Sequence, residues 1–492
     1  MSEKDEKSSE LAPVPTETEG TMDDLPLGWR YYKLKIGNWR APHYASPFAQ
    51  LLLVAATFFL CPGMYNALNG LGGAGQLDPT VQNNATVALF ATFAVVAFFS
   101  GAICNKLGVR LSLIIGSSGY TLYMASFLCF NHTGNAPFVI ASGAILGFCA
   151  GLFWSAQSII MISYPDEENK GTFIGIFWMI FNLGATIGSL VPLIQNLHST
   201  GESVSDGTYI GFIVLSGAGI LLNFALCNAD QIVRNDGSKV IMMKHPTWKS
   251  EFIGLWEVMR TTPWILALVP MFVASNWFYT YQFNDYNLAR FNIRTRSLNS
   301  LCYWSAQILA ALGCGRALDS QRFQRHTRAR AGLIVLFAVS WAVWGGGYVW
   351  QRTYDRASAS RDKKIDFTDS NYGALLVLYI CYGAFDAMWQ LYIYWVLGAL
   401  SNNSRKLAIL VGFYKCAQSA GQTVMWRIDA LKAPYMNIFA GTWGLVIGAL
   451  IIGAPVVWLK VKRHTEEEED VKFSDGTVNE LHVKKEDAPP GV

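Results

Sequence analysis

The sequence predicts an all-α polytopic membrane protein with twelve transmembrane helices in two six-helix halves. The first observation behind this prediction is a set of twelve apolar stretches of about twenty residues each, the length that a helix needs to cross about 30 Å of hydrocarbon. The second is that only 15% of the 492 residues are charged, against about 25% in soluble proteins. The third is a polar segment at 230–262 that separates six apolar stretches from six.

The apolar stretches must be helices if they cross a bilayer, because lipid offers backbone N–H and C=O groups no water to bond. The predicted spans are 47–68, 84–104, 111–130, 137–160, 172–195, 209–228, 263–284, 298–316, 331–350, 373–400, 407–428 and 435–460. The predicted domains are a cytoplasmic N-terminal tail at 1–46, a first half at 47–229, a cytoplasmic linker at 230–262, a second half at 263–460 and an acidic cytoplasmic C-terminal tail at 461–492.

The N-terminal tail and the loops predict the orientation. The first 25 residues are polar and acidic, so no cleavable signal peptide is expected. Lys and Arg are concentrated in the loops on the side of the termini, whereas the first three loops on the other side carry none, so both termini are expected in the cytoplasm. The sequons at Asn84 and Asn131 fall in the first and third loops, on the non-cytoplasmic side, and are glycosylation candidates. The plasma membrane and an endomembrane both fit this orientation.

The first span carries a helix-breaking pair near its outer end. Pro62 and Gly63 are followed by Asn66, Asn69 and a glycine-rich run. This composition predicts an interrupted helix with freed backbone carbonyls, and such breaks can coordinate ions or substrate. The alternative is a helix end that runs into a flexible loop.

A short motif recurs at the cytoplasmic ends of the second and eighth spans, which indicates duplication of the two halves. Its residues are Gly101, Asn105, Lys106, Gly108 and Arg110 in the first half, and Gly315, Arg316 and Asp319 in the second. Glycine lets helices approach closely, the Asn or Asp side chain can cap the next helix, and arginine can pair across the gap between halves. These residues are therefore gating candidates, although a short basic loop is also normal at any cytoplasmic hairpin.

Several longer stretches, together with this motif, give the chain a family resemblance. They are Pro62 to Gly73, Tyr164-Pro165 with Lys170-Gly171, Phe181 to Gly184, Phe291 to Arg296 and Tyr414 to Gly421. On these residues the chain resembles the major facilitator superfamily and, more narrowly, the fungal branch of the uncoordinated-93-like family. The superfamily pattern has Asp where this chain has Asn105. An amide can cap a helix but cannot form a salt bridge, so the first gate is expected to be weaker or differently built.

The resemblance covers nearly the whole chain except the tails, and it implies two alternative functions. Members of the superfamily transport small solutes by alternating access between two six-helix halves. Animal members of the narrower family include a channel regulator and a receptor-trafficking chaperone. The alternative is therefore a non-transporting membrane adaptor that regulates or traffics another membrane protein.

Two charged residues lie deep inside predicted spans and away from the span ends, Asp386 on the tenth and Lys415 on the eleventh. An ionised residue at bilayer depth costs about 3 kcal/mol on insertion scales, so it normally faces a cavity or a partner. Because their depths are similar, each is expected to be the other's partner. The pair is either a permanent structural ion pair or a working site, in which Lys415 binds an anionic solute group or Asp386 exchanges a proton.

Polar side chains extend these two positions along helix faces, and two facing polar stripes predict a wetted central cavity. The tenth span contributes Tyr379, Tyr382, Trp389 and Gln390, and the eleventh contributes Gln418, Ser419 and Gln422. Further candidates are Asn276, Tyr279, Gln282, Tyr303 and Gln307 in the seventh and eighth spans, and Tyr65, Asn66, Trp154, Gln157, Trp178 and Asn182 in the first half.

Charged residues outside the spans have simpler interpretations. Arg294 and Arg296 lie between the seventh and eighth spans, after Asp285, where they either recruit anions or are ordinary solvated loop charges. The acidic run at 466–470 predicts a disordered cytoplasmic tail that is available to regulators.

The remaining patterns exclude other classes of function. The chain has no HExxH, Gly-x-Ser-x-Gly or phosphate-binding Gly-Lys-Ser/Thr motif, so neither an enzyme nor an ATP-driven pump is predicted. Its nine cysteines lie in or beside apolar spans, and no metal site or cofactor is expected. A net charge of +3 gives no reason to expect nucleic acid. The favoured prediction is a secondary transporter of a small organic solute, with proton coupling as one option and the lipid bilayer as its surroundings.

Overall fold

The computed structural model describes residues 28–32, 35–36, 39–40, 42–76, 78–165, 170–198, 203–234, 248–320, 322–401 and 404–462. Within these residues, nine helices are long and apolar enough to cross a membrane. Three more polar segments, 263–288, Ile293–Leu318 and Ser404–Ala430, supply the other crossings of a twelve-helix bundle. The predicted all-α membrane fold is therefore confirmed.

The helices of the first half are α1 Pro47–Leu60, α2 Pro62–Gly70, α3 Thr80–Leu107, α4 Val109–Thr133, α5 Ala136–Ser163, α6 Lys170–Gly188, α7 Leu190–Asn196 and α8 Asp206–Phe224. Those that follow are α9 Trp248–Thr261, α10 Val269–Ala274, α11 Ile293–Leu318, α12 Arg325–Gln351, α13 Arg356–Arg361, α14 Tyr372–Leu400, α15 Ser404–Ala430 and α16 Tyr435–Lys460. Before α1, the short strands β1 Lys35–Ile36 and β2 Trp39–Arg40 pair antiparallel.

Side-chain caps explain where several helices begin. The Ser46 side chain accepts a hydrogen bond from the Ala49 N–H and precedes a proline in the first turn of α1. Asn135 caps α5 and Asn292 caps α11 in the same way. Each cap satisfies a backbone donor that the helix itself leaves without a partner.

Each half has its own hydrophobic core. One cluster of buried side chains draws almost entirely on residues 45–232, and the other draws almost entirely on residues 258–461. The halves meet where α3 packs against α15 and where α6 packs against α11. The two contacts correspond to each other, because each joins the second crossing of one half to the fifth crossing of the other. The second crossings are α3 and α11, and the fifth crossings are α6 and α15.

The loops fall at two ends of the bundle. We call the end that carries both tails the terminal end and the opposite end the distal end. At the distal end the chain turns sharply after α2 at Gly72, which has a φ of 73°. A Cβ at Gly72 would lie 2.1 Å from the carbonyl oxygen of Phe283, so this turn fits against the second half only with glycine.

Two crossings of the bundle are interrupted. The predicted interruption at Pro62 is a kink at Cys61, and the Cys61 N–H still donates to Thr57 O. The larger break, which the sequence did not predict, lies in the segment 263–288. There α10 ends at Ala274, Ser275 follows as its C-cap, and Asn276 has a φ of 66° before the chain continues into a π-helix at Tyr281–Leu288.

The two predicted glycosylation asparagines, which the sequence places in loops, lie in helices. Asn84 lies in the first turns of α3, and its side-chain oxygen accepts a hydrogen bond from Arg427. Asn131 lies in the last turn of α4, where its amide donates to Asp206. Both helices extend beyond the predicted spans, so neither sequon lies in a loop. The predicted acidic run at 466–470 falls outside the described residues.

Candidate functional site

Asp386 lies in the middle of α14 and is fully buried. Its carboxylate accepts hydrogen bonds from Tyr279 Oη at 2.8 Å, Gln307 Nε2 at 2.5 Å and Gln390 Nε2 at 2.7 Å. The Tyr303 hydroxyl lies at 3.4 Å. Because all these donors are neutral, the buried carboxyl group is stabilised by hydrogen bonds and not by a directly bound cation.

Lys415 is held separately on α15. Its Nζ donates to Gln418 Oε1 at 2.9 Å and lies over the rings of Tyr394 and Tyr414, at 5.4 and 5.2 Å from their centroids. These are cation–π distances. Asp386 and Lys415 are both described, and no direct ion pair joins them. The two residues therefore interact by longer-range electrostatics and not through the expected direct ion pair.

The broken segment 263–288 connects these two clusters. Ser275, at the break, has its Oγ 2.8 Å from Tyr414 Oη and 3.1 Å from Gln418 Nε2. Tyr279, one turn further along, donates to Asp386. A movement at the break would therefore change the surroundings of both charged groups.

The backbone around the break is held by its neighbours. Trp389 Nε1 donates to Met271 O at 3.2 Å, and a Cβ at Gly421 would lie 2.5 Å from Val273 O. The side-chain oxygen of Asn276 is buried and has no hydrogen-bond partner within the described part of the chain. Buried acceptors without partners are uncommon and are often found at functional sites.

Some of the other residues predicted from the sequence lie near Asp386 or Lys415, and the rest lie elsewhere in the bundle. Trp178 of the first half reaches the site, since its ring lies 6.5 Å from that of Tyr394 across the two halves. Tyr382 is fully buried among aromatic rings of the second half. Half-buried Asn66 and Asn182 are not brought to Asp386 or Lys415 by a described contact, and Gln422 is buried on α15.

The predicted gating residues at the terminal end make contacts within their own halves. Arg110 donates to the carbonyl of Phe224, and Asp319 accepts from Trp395 Nε1 at 3.3 Å. The described hydrogen bond of Arg110 therefore does not cross the gap, and that of Asp319 joins it to α14. Lys106, Gly108 and Arg316 are exposed, Gly315 is half-buried in α11, and the surroundings of Gly101 and Asn105 lie outside what the structure describes.

The distal end contains a contact that the sequence did not predict. Arg296 is fully buried, and its guanidinium donates to the carbonyls of Leu71 and Gly72 at 2.7 Å each. Asn287 Nδ2 donates to Gly70 O at 2.9 Å. Arg296 is thus not a solvated loop charge. The Phe291 to Arg296 stretch carries part of the family resemblance, but its sequence does not indicate that Arg296 is buried.

Asn284 extends this contact. Its Oδ1 accepts from the Gly73 N–H at 2.9 Å, and its Nδ2 donates to Asn83 Oδ1 at 2.8 Å. We call the set formed by Asn284, Asn287 and Arg296 with residues 70–73 the distal latch. It joins the second half to the first by hydrogen bonds whose donors and acceptors are buried.

Arg294 acts beside the latch. Its guanidinium lies 2.6 Å from Asp366 Oδ2, which also accepts from Asn292 Nδ2 at 2.6 Å. Burial alone would raise the pKa of Asp366, but hydrogen bonds from Thr368, Asn292 and Arg294 outweigh it and lower the pKa to about 2. Asp366 is therefore ionised at every physiological pH, and the ion pair persists.

Comparison with known proteins agrees with this architecture. Residues 47–359 match the profile of the Major Facilitator Superfamily. A UNC93-like protein of Schizosaccharomyces pombe is 47% identical over 475 residues, which cover 96% of this chain and 94% of that protein. UNC93-like protein 1 of Arabidopsis thaliana is 40% identical over 438 residues, with 88% and 94% covered.

Solved structures resemble the chain in fold. The crystal structure of a D-xylose-proton symporter has a TM-score of 0.58 at 13% identity and covers 85% of this chain and 99% of that one. A structure of a proton-dependent oligopeptide transporter has a TM-score of 0.56 at 14% identity, with 85% and 100% covered. At these identities the likeness extends to the fold alone.

Proposed function

Because this chain belongs to the UNC93-like family within the major facilitator superfamily, we propose that it is a secondary transporter that moves a small organic solute by alternating access. Both termini face the cytoplasm in this proposal, so the distal end faces the cell exterior or an organelle lumen. The solute binds between the halves, beside the break in the segment 263–288.

The observation that carries this proposal is that no direct ion pair joins Asp386 and Lys415, both of which the structure describes. A permanent structural pair would bring the two charges into contact, since each compensates the cost of burying the other. Here each charge is held by neutral side chains. Neutral hydrogen-bonding groups can exchange their contacts for those of a solute without leaving an unpaired ion behind.

The geometry suggests the chemical class of the solute. Lys415 would bind an anionic group such as a carboxylate, and its neighbour Gln418 would then be released to bond the solute as well. Tyr394 and Trp178 supply aromatic surface from the two halves. We therefore infer a small organic anion or zwitterion with an apolar part.

Asp386 is the proposed proton site. Its carboxylate holds Tyr279 of the broken segment, whereas a protonated Asp386 would bind that hydroxyl less strongly. Proton binding would thus loosen the break that also carries Ser275 and the Lys415 cluster. This route links a proton to the solute through two described hydrogen-bond clusters.

The test compares metabolites retained and released by cells that lack the protein, cells with it restored, and cells with Asp386→Asn or Lys415→Gln at matched abundance. We expect a solute difference that wild type restores and that either substitution reduces at least tenfold. Exposed Asp362→Asn and Lys363→Gln are the charge-matched controls and should behave as wild type.

Two results would contradict the proposal. Transport that persists in both site variants would remove Asp386 and Lys415 from the mechanism. A solute profile that is the same in all strains would exclude transport of any detected solute, and capture of a membrane-protein partner would then be the next experiment, because an adaptor needs a docking surface and not a buried polar site.

A further inference from the structure

A second charged cluster lies at the distal end, apart from Asp386 and Lys415. Two aspartates share one guanidinium there: Arg356 of α13 pairs with Asp429 at the end of α15, and its Nη2 lies 3.7 Å from Asp285 of the π-helix. Asp285 and Asp429 are 0% and 1% exposed. If both were ionised, this buried cluster would hold one negative charge in excess.

The two carboxyl groups are bonded very differently. Asp429 accepts hydrogen bonds from Arg356, from Asn83 Nδ2 at 2.7 Å and from Asn284 Nδ2 at 2.9 Å. Within the described residues, no backbone or side-chain donor group bonds either carboxyl oxygen of Asp285, and its hydrogen-bonding neighbour is the Asp429 carboxylate, an acceptor. An ionised carboxylate without donors is strongly unfavourable in a buried site, and two neighbouring carboxylates do not readily ionise together. On this argument we expect Asp285, not Asp429, to carry the proton in this conformation.

The other groups that face this cluster do not supply a second positive charge. Arg356 is fixed over the ring of Tyr435 at 4.3 Å, with Nε donating to Ala433 O at 2.6 Å. Arg290 lies over the ring of Tyr354 at 4.5 Å instead. The phenols of Tyr354 and Tyr435 also interact electrostatically with Asp285, and neither supplies a positive charge.

The cluster is built into the contact between the halves. Asn83 belongs to α3 of the first half and bonds both Asp429 and Asn284. Asn284 also accepts from the Gly73 N–H and is part of the distal latch. A change in the charge of the aspartates therefore acts directly on side chains that close this end.

We propose that Asp285 and Asp429 form a one-proton site that keeps the distal latch closed when it is occupied. In the closed state the cluster is neutral, with Asp429 ionised, Arg356 positive and Asp285 protonated. Release of the Asp285 proton to water at the distal side leaves a net charge of −1. The two ionised carboxylates then repel each other and compete for Arg356, which displaces Asp429 from its contacts with Asn83 and Asn284.

The proposal predicts the sign of the pH effect. The closed state binds one more proton than the open state, so rising pH at the distal side favours opening, by up to tenfold per pH unit above the midpoint. Only the interpretation of latch opening as a step of transport rests on the proposed alternating-access function. The pH effect itself concerns the purified protein without any solute.

The experiment is hydrogen–deuterium exchange with mass spectrometry on the purified full chain between about pH 5 and pH 9, with labelling times corrected for intrinsic exchange. The readout is uptake in the segments 68–76 and 281–296. In wild type we expect corrected exchange to accelerate as pH rises. Asp285→Asn, which is neutral at every pH, should remain protected, whereas exposed Asp362→Asn should match wild type.

A second measurement detects the protonated carboxyl group directly in the wild-type protein, so the test does not rest on the folding of the variant alone. Infrared difference spectra of wild type between low and high pH should show loss of a protonated-carboxyl band that is missing in Asp285→Asn. Corrected exchange that does not depend on pH in wild type, or an unchanged pH dependence in Asp285→Asn, overturns the proposal. Either result would leave the metabolite experiment on Asp386 and Lys415 unaffected, so the two proposals fail separately.

Discussion

At the scale of single residues, Asp386 and Lys415 illustrate what helical spacing can and cannot predict. Gln390 follows Asp386 by one turn, and Gln418 follows Lys415 by three residues, so each was expected on the same face. Both are bonded as that spacing suggests. The full set of groups that bond Asp386 and Lys415 also depends on rotamers and on donors from other helices, such as Gln307. Spacing within one helix does not contain that information.

The burial of Arg296 could not be predicted from the sequence for a related reason. A charged residue close to a predicted loop is usually solvated, and the sequence contains no signal that the α2 turn offers two carbonyls to it. The carbonyls are exposed to the arginine because Gly72 has a positive φ and the turn packs closely on Phe283. Such a backbone acceptor site is a property of the folded chain only.

The Arg294 contact with Asp366 should be insensitive to pH over most of the accessible range. The folded-state pKa of Asp366 is about 2, below the ordinary 3.8, so the stabilisation is complete above about pH 4 and is lost as pH falls towards about 2. We expect Asp366→Asn to lower stability by about 1–3 kcal/mol at both pH 5 and pH 7.

Thermal unfolding of wild type and Asp366→Asn across this pH range would check the expectation. The gap between their unfolding temperatures should narrow only below about pH 4. Asp369→Asn is unsuitable as a control because Asp369 bonds the Asp366 N–H, so exposed Asp362→Asn is used instead. A gap that already closes at pH 6 would contradict the assigned pKa.

At the scale of elements, the two interrupted crossings show that the strength of a sequence signal does not set the size of a break. Pro62 and Gly63 are strong helix breakers, yet the chain only kinks there, because proline is tolerated in the first turn of a new helix. Ser275 and Asn276 are weak signals, yet they end α10. The reason is tertiary: Ser275 bonds Tyr414, and Asn is one of the few side chains that adopts a positive φ readily.

Replacement of Asn276 should separate backbone shape from side-chain chemistry. Asn276→Gly keeps the φ of 66° available, whereas Asn276→Val forces a β-branched side chain into it. We expect Val to lower stability by about 1–2 kcal/mol and Gly to be nearly neutral. Unfolding in detergent measures the difference, and equal stability of the two variants would show that the break is not strained for larger side chains.

Glycine packing at the break gives a second expectation for α15. Gly421→Ala places a Cβ 2.5 Å from Val273 O and should destabilise by about 1–3 kcal/mol. Gly412→Ala lies on the same helix with nothing within 4 Å and should be neutral or slightly stabilising, since alanine favours helix more than glycine does. Thermal unfolding of both variants checks this contrast. A tolerated Gly421→Ala would mean that α15 and the broken segment can move apart easily.

At the scale of the whole molecule, the sequence predicted the architecture well. The family resemblance and the all-α membrane fold are confirmed by the matched relatives and by the helices. The equivalent contacts of α3 with α15 and of α6 with α11 agree with the duplication inferred from the repeated motif. The conformation could not be predicted, because one sequence must encode every state of the cycle. The repeated motif predicts gates at the terminal end. In the conformation described here, the contact between the halves that we call the latch lies at the distal end.

The distal latch should be sensitive to the shape of its arginine. Arg296 reaches two carbonyls with one planar group, and a lysine cannot bond both in that geometry. Arg296→Lys should therefore accelerate exchange in the segment 68–76 by about tenfold, equivalent to the loss of about 1.4 kcal/mol. Arg352→Lys, on the exposed distal end of α12, is the matched control. Unchanged exchange in Arg296→Lys would show that the latch is held by its asparagines.

The uneven distribution of polar residues also has a consequence for how the protein is made. The six crossings of the first half are each apolar enough to partition into lipid one at a time as they leave the ribosome. The segment 263–288 and the helices α11 and α15 are not, so they need neighbours that already bond their polar groups. We therefore expect insertion in two phases, stepwise entry of the first six crossings followed by cooperative entry of the polar ones. Quality control in the cell would act mainly on the second.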